Sequence, residues 1–197
     1  MRIIIDVWRF HMDITQVIKE RRSIKRFQEK EVSLQLITEL LDVAVWAPNH
    51  RLTEPWRFII VHGDAKLKLA ETARAIREAN ETDPEKKKVM EEKVYEKIAS
   101  NPMYVIVVMK EDENPKVKEE DFAATCCLIQ NFSLVAWEKE IGMTWHSYDW
   151  LQDPLFREAY GIQSNERAIA NLHLGYPEIV PNGQERKSAK QLITVLD

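Results

Sequence analysis

The 197-residue chain is 45% hydrophobic and 30% charged, with only 5 Gly and 8 Pro, a length suited to one domain or one domain with an appendage. Collagen-like, low-complexity and wholly disordered chains are excluded by that balance. The longest apolar run, around Tyr104 to Met109, is far shorter than the roughly 18–20 residues of a membrane-spanning helix, so no membrane partner is expected. A formal charge of −4, from 28 Lys+Arg against 32 Asp+Glu, gives no general attraction to nucleic acid and leaves only local basic patches to hold a phosphate.

Met1 to Phe10 is apolar, but Asp6, Arg9 and the lack of a small-residue cleavage pattern argue against a signal peptide. Ile14, Val17 and Ile18 suggest a short helix whose basic end, Lys19 to Arg22, runs into Arg21-Arg22-Ser23-Ile24-Lys25-Arg26. Ser33 is an N-cap candidate for a clearer helix, with Leu34, Ile37, Leu40, Leu41, Ala44 and Val45 at helical spacing until Pro48. Pro55 to Val61 reads as a buried strand closed by Gly63-Asp64, and Asp64 can cap a helix through Ala79.

Thr82 to Ser100 interleaves both charge signs with a thin apolar stripe of Val89, Val94 and Ile98, which predicts an exposed helix with little core contact, a solvated face or a covering flap. A second buried strand, Met103 to Met109, precedes the polar stretch Lys110 to Lys118. Asp121 to Glu140 is the longest candidate helix, apolar over so much of its circumference that a central place is expected. Met143 to His146 predicts a short strand, Pro154 to Tyr160 a short helix, and Ala168 to Leu174 a final strand. The tail from Gly183 to Asp197 is basic and then apolar, an arm that needs somewhere to dock. Helices that outnumber and separate the strands predict a mixed α+β or three-layer fold. With no internal repeat or interdomain linker, residues 1–197 are expected to form a single domain.

Glycines at 63, 142, 161, 175 and 183 permit neither a Walker A loop nor a dinucleotide fingerprint. His11, His50, His62, His146 and His173 show no metal-ligand spacing, so no metal is expected. No serine has the flanking glycines of a nucleophile elbow, and Cys126 and Cys127 read as core packing within an apolar helix. No catalytic side chain is assigned. Two adjacent cysteines cannot form a secreted framework, which makes a reducing cytoplasm the default location.

Positive charge is the unusual feature. Arg21, Arg22, Ser23, Lys25 and Arg26 gather planar guanidinium forks, a hydroxyl and further cations beyond a helix end, suited to a phosphate monoester or else simply a solvated basic turn. A second pair, Arg186-Lys187, would complete a dianion site if folding brought the two together. Between them Ala47-Pro48-Asn49-His50-Arg51 offers hydrogen bonds to a heterocycle, or is only a polar loop.

Taken in order, Arg21-Arg22-Ser23-Ile24-Lys25-Arg26-Phe27, Ala47-Pro48-Asn49-His50, Glu54-Pro55-Trp56-Arg57-Phe58, Gly142-Met143-Thr144-Trp145 and Leu174-Gly175-Tyr176-Pro177 before Arg186-Lys187 resemble the successive signatures of the FMN-dependent nitroreductase family, in the form of its small members. The resemblance implies an α+β three-layer fold with a mostly antiparallel central sheet flanked by helices, and a domain-swapped homodimer with two FMN sites lined by both subunits. It places Arg21, Arg22, Ser23 and Lys25 at the FMN phosphate and ribityl chain, with Arg186 and Lys187 on the same phosphate. Asn49 and His50 would reach the other subunit's flavin, and Trp145, His146 and Ser147 would lie along the isoalloxazine. Many members carry Ser-Ser-x-Asn-x-Gln before Pro-Trp, whereas here Leu52 and Glu54 replace two amides.

The activity so implied is ping-pong hydride transfer through flavin N5, from NADH or NADPH to a small-molecule acceptor such as a nitroaromatic, quinone or enone. A flavin-binding or flavin-consuming protein of the same fold, without NAD(P)H turnover, is the alternative. A non-catalytic interaction protein built on Thr82 to Ser100 is a third reading.

Overall fold

A computed structural model describes residues 13–82 and 93–196. Asp13 caps the first helix, α1 (Ile14–Glu20), by accepting from the Thr15 N–H at 2.7 Å. Ser33 opens α2 (Leu34–Ala44) as the sequence predicts, its Oγ accepting from the Leu36 N–H at 3.3 Å, and Ile37, Leu40, Leu41 and Ala44 form the buried stripe. This helix stops short of Pro48, because Trp46 and Ala47 donate three residues back, to Val43 and Ala44, and tighten the last turn.

Four strands, β1 (Trp56–His62), β2 (Met103–Lys110), β3 (Gly142–His146) and β4 (Glu166–Gly175), form one sheet in the order β1-β2-β4-β3 with every pair antiparallel. Met103 to Met109 are all buried, so β2 is covered on both faces, which its unbroken apolar run anticipates. α2 and α4 (Pro115–Glu138) pack one face, around Leu41, Val105, Val107, Leu128, Phe132 and Leu172. α3 (Ala65–Asn80) and α5 (Pro154–Ala159) pack the other, around Leu69, Tyr104, Ile106 and Phe156. The fold is therefore a three-layer α+β arrangement whose four named strands pair antiparallel, with one parallel bridge, Ser23 to Met143, at the β3 edge.

Several sequence expectations need correction. Asp64 does not cap α3: its backbone is already helical (φ −68°, ψ −19°), its carboxylate makes no capping bond, and the turn before it rests on Gly63 at φ 55°. α4 begins at Pro115 rather than Asp121, because Asn114 caps it by accepting from the Lys116 N–H at 3.0 Å and proline suits the first helical position. Cys127 is exposed and Cys126 half-buried, so neither is core packing in this chain; the buried stripe of α4 runs instead through Ala124, Thr125, Leu128, Ile129 and Phe132. Of the segment Thr82 to Ser100, residues 83–92 lie outside the described residues. Residues 93–99 are helical and do touch the core: Ile98 is buried, and its carbonyl accepts from Tyr104 Oη at 2.8 Å. The tail is exposed and extended apart from one turn at Ala189–Gln191, with Leu192, Ile193, Val195 and Leu196 uncovered.

Residues 23–28 borrow their backbone partners from the sheet edge. Ile24 donates to the Met143 carbonyl at 3.1 Å, Thr144 Oγ1 donates to the Ile24 carbonyl, and Gln28 donates to Tyr176 at 2.9 Å. Glu178 donates back to the Arg26 carbonyl at 3.1 Å. Such close approach needs glycine: a Cβ on Gly142 would sit 2.9 Å from Ile24 Cβ, and one on Gly175 would sit 2.8–2.9 Å from Phe27. Gly142→Ala should accordingly lower stability by about 1–3 kcal/mol through overpacking. An unchanged urea midpoint would show that the edge segment yields without cost.

Candidate functional site

The edge pairing sets the end of α1 beside the chain after β4, and between them opens a cleft of about 960 Å³. Arg21, Arg22, Ser23, Lys25 and Arg186 all line it, so the two basic groups, some 160 residues apart in sequence, are brought together. Lys19 and Arg26 add further cations, and none of the described lining residues is acidic. Arg22 Nη1 is held by the end of α1, donating to the carbonyls of Lys19 at 2.7 Å and Arg21 at 2.9 Å. Among the described residues Arg186 donates only to its own stretch of backbone, at Gln184 and Glu185.

Burial, with Arg22 and then Arg186 close by, pulls the Arg21 guanidinium below its ordinary pKa. The buried Nε atoms of Arg21 and Arg22 have no hydrogen-bond partner among the described residues. Gly183 lies against the Arg22 guanidinium so closely that a Cβ there would collide with it. Charged donors crowded together and left unsatisfied make a receptor for a multivalent anion.

The other predicted residues stand elsewhere. Lys187 is exposed and does not line the cleft. Asn49 and His50 occupy the loop after α2, on the flank of α4. Asn49 closes that loop on itself, donating to the Ala47 carbonyl at 3.3 Å and accepting from the Glu54 N–H at 3.0 Å. His50 Nδ1 lies 2.6 Å from Glu120 Oε2.

Trp145 and His146 share β3 but leave it on opposite faces, as strand alternation requires. Trp145 is partly exposed, and its Nε1 donates to Ser147 Oγ at 3.0 Å. His146 stacks on Tyr148 (centroids 4.7 Å, 6°) and leans on His173 (4.2 Å, 42°). Burial lowers the His146 pKa, with Lys97 and Lys25 adding to the effect, which ties this side chain electrostatically to the basic cleft. Ser147 lines two smaller cavities, of about 570 and 280 Å³, that flank Tyr148, Asp149 and Gln152.

Sequence reading missed Gln130, Asn182 and Gln184 in the lining of the cleft. Gln130 had a usable signal, one of two adjacent amides, with Asn131, in the otherwise largely apolar stretch Cys126 to Leu134; the other two sit in an irregular polar stretch that offers none. It also missed the buried cluster behind β3, where His173 Nε2 and both side-chain polar atoms of Asn171 have no hydrogen-bond partner among the described residues.

The fold and this basic cleft define a class of α+β proteins with an anion receptor at the sheet edge. Comparison with known proteins makes that class specific: the Nitroreductase family model matches residues 18–176, and the chain belongs to this family of oxidoreductases. The Bacillus subtilis protein named "Putative NAD(P)H nitroreductase YfhC" is 39% identical over 185 residues, 93% of this chain and 94% of that protein. The crystal structure of a nitroreductase-like family protein from Bacillus cereus superimposes with a TM-score of 0.85 at 34% identity, covering 94% of this chain and 97% of the other. A Bacteroides fragilis nitroreductase described with bound FMN shares the fold at a TM-score of 0.70 and 20% identity, covering 94% and 100%. No described helix is long and apolar enough to cross a membrane.

His173 supplies a test of the buried cluster. Burial, then the neighbouring His146 and Lys97, push its pKa down to about 3, while Tyr104 packs edge-on at 4.7 Å. The unfolded chain therefore binds a proton below about pH 6.5 that the folded chain refuses, so stability falls as pH falls from there towards 3. The contribution at pH 5 should be about 2 kcal/mol below that at pH 7.5. Urea midpoints of the parent should drop over that interval more than those of His173→Leu, and parallel slopes would remove His173 as the cause.

Proposed function

We propose that residues 1–197 form one FMN-binding domain of a homodimeric, cytoplasmic NAD(P)H oxidoreductase, which reduces a nitroaromatic, quinone or enone in ping-pong fashion. The observation that carries this reading is the pair of buried Arg21 and Arg22 Nε atoms, unpartnered among the described residues, in a cleft shared with Arg186. Such a donor set fits a phosphate monoester, the group with which FMN ends. Support comes from two proteins of similar fold, one named "Putative NAD(P)H nitroreductase YfhC" and the other described as a nitroreductase with bound FMN.

Bound FMN would supply the hydride chemistry that no side chain here offers. The chain's own part is to hold the cofactor. Arg21, Arg22 and Arg186 would take the phosphate, with Ser23 and Lys25 beside them on the ribityl chain and Lys187 at the rim. Asn49 and His50 would act at the second subunit's flavin. The second subunit would also cover the apolar surface left open at Phe122, Leu192, Ile193, Val195 and Leu196.

Purified protein should be yellow and should bleach anaerobically with NADH or NADPH. Yellow protein that neither nucleotide bleaches would favour a flavin-binding or flavin-consuming role, and colourless protein that takes up no FMN would sink the proposal. A lost charge-assisted hydrogen bond costs about 1.5–3 kcal/mol, so Arg21→Ala should weaken FMN binding roughly 10- to 100-fold; unaltered affinity would remove Arg21 from the site. Sedimentation at micromolar concentration should show a dimer, and a flavin-loaded monomer would refute the shared site. Mixing inactive Arg21→Ala and His50→Ala chains should restore activity towards half that of a parental dimer, because one site of each heterodimer then carries neither change. Confirmed heterodimers without recovery would assign both residues to the same subunit's site.

A further inference from the structure

Two consecutive acids on α4 grip the Asn49–Glu54 loop. Thr53 Oγ1 donates to Asp121 Oδ1 at 2.6 Å, and three residues earlier His50 Nδ1 meets Glu120 Oε2 at the same distance. The hydrogen bond from His50 is the first cause holding the Glu120 carboxyl below the usual carboxylate range, and the charges of His50, Lys116 and Arg51 act in the same direction. At neutral pH Glu120 is thus an ionised group that can only accept. The proton between the two residues therefore resides on Nδ1. A neutral His50 must then have a bare Nε2, on an imidazole that is 56% exposed.

We propose that Glu120 is a positioning residue: it fixes His50 as the Nδ1–H tautomer and so makes Nε2 the nitrogen presented outward, an acceptor when the ring is neutral and a donor when it is charged. The other nitrogen's hydrogen bond decides which ring nitrogen is available for work. Without the carboxylate the imidazole would be free to rotate and to exchange tautomers, and its outward nitrogen would have no fixed character. The role rests on the reading that this loop serves a second subunit's flavin site, where a single oriented nitrogen would meet the heterocycle or the acceptor bound against it. Asp121 contributes differently: it is buried and anchors Thr53, fixing the loop's backbone rather than a titratable ring.

The test uses FMN-loaded protein labelled with 15N-histidine, with the His50 resonances assigned through His50→Gln. Long-range proton–nitrogen spectra above the histidine titration should show Nδ1–H in the parent. Glu120→Leu should show a loss of that signature, and Glu120→Asp should keep it in part. In steady-state assays with NADH and a quinone, Glu120→Leu should lower kcat about tenfold, the scale expected when the partner that orients a working imidazole is lost. FMN affinity and the urea midpoint should stay as in the parent, and Glu120→Asp should recover part of the rate. An Nε2–H tautomer in the parent, or an unchanged tautomer in Glu120→Leu, would overturn the proposal, as would a changed tautomer with unchanged kcat. A colourless parent without NAD(P)H turnover would overturn the functional reading instead, and the tautomer spectra would still decide whether Glu120 sets the imidazole.

Discussion

Every buried backbone N–H and C=O must find a partner, and residues 23–28 meet that demand with the backbone of β3 and of the turn after β4 rather than with each other. Much else depends on that edge pairing. It carries the basic end of α1 to the sheet edge, and through the Arg26–Glu178 bond it fixes where the chain leaves β4. The stretch from Ile179 to Arg186 consequently forms the far wall of the same cleft. A receptor made from the two ends of the chain is therefore a product of sheet geometry. Gly142 and Gly175 are required because Ile24 and Phe27 lie where their Cβ atoms would be.

The same geometry creates an electrostatic cost. Arg21, Arg22 and Arg186 converge with no acidic residue among the described ones lining the cleft, and the Arg21 guanidinium is held below its usual pKa by burial and by those two neighbours. Arg57 shows the contrasting arrangement, a cation that makes two 2.7 Å bonds to Glu166. An anion entering the cleft would relieve the repulsion and satisfy orphaned donors together, which gives it differential affinity for this folded arrangement.

How much of this was legible in the sequence depends on the range of the signal. Ser33 as a cap, the α2 stripe and the unbroken run of β2 were readable because caps and periodicity are local. Arg21 and Arg186 were each visible as basic, but their meeting depends on pairings between residues 24 and 143 and between 26 and 178, which single-sequence periodicity does not report. The start of α4 was missed because its first turns are charged on an exposed face, so the apolar pattern begins only at Asp121. Cys127 was misjudged because α4 is apolar around more of its circumference than one chain covers. Trp145 and His146 enter together through the family resemblance, and the period of two in their strand sends them to opposite faces.

Strain in the Asn49–Glu54 loop sharpens the contrast between scaffold and site. Arg51, Leu52 and Glu54 all have positive φ, at 58°, 53° and 41°, with no glycine among them, at a cost of the order of 1–3 kcal/mol each. A loop whose only task was to join α2 to β1 could relax or use glycine. This one is held by Asn49 from within and by Thr53–Asp121 and His50–Glu120 from α4, so the helix that packs against the sheet also sets the loop's shape. Because Asn49 uses its amide within the loop, His50 is the member of that pair with a free outward group. Leu52 and Glu54, which the resemblance sets where many members carry amides, occupy two of the strained positions, so the side chains they display are aimed by a constrained backbone.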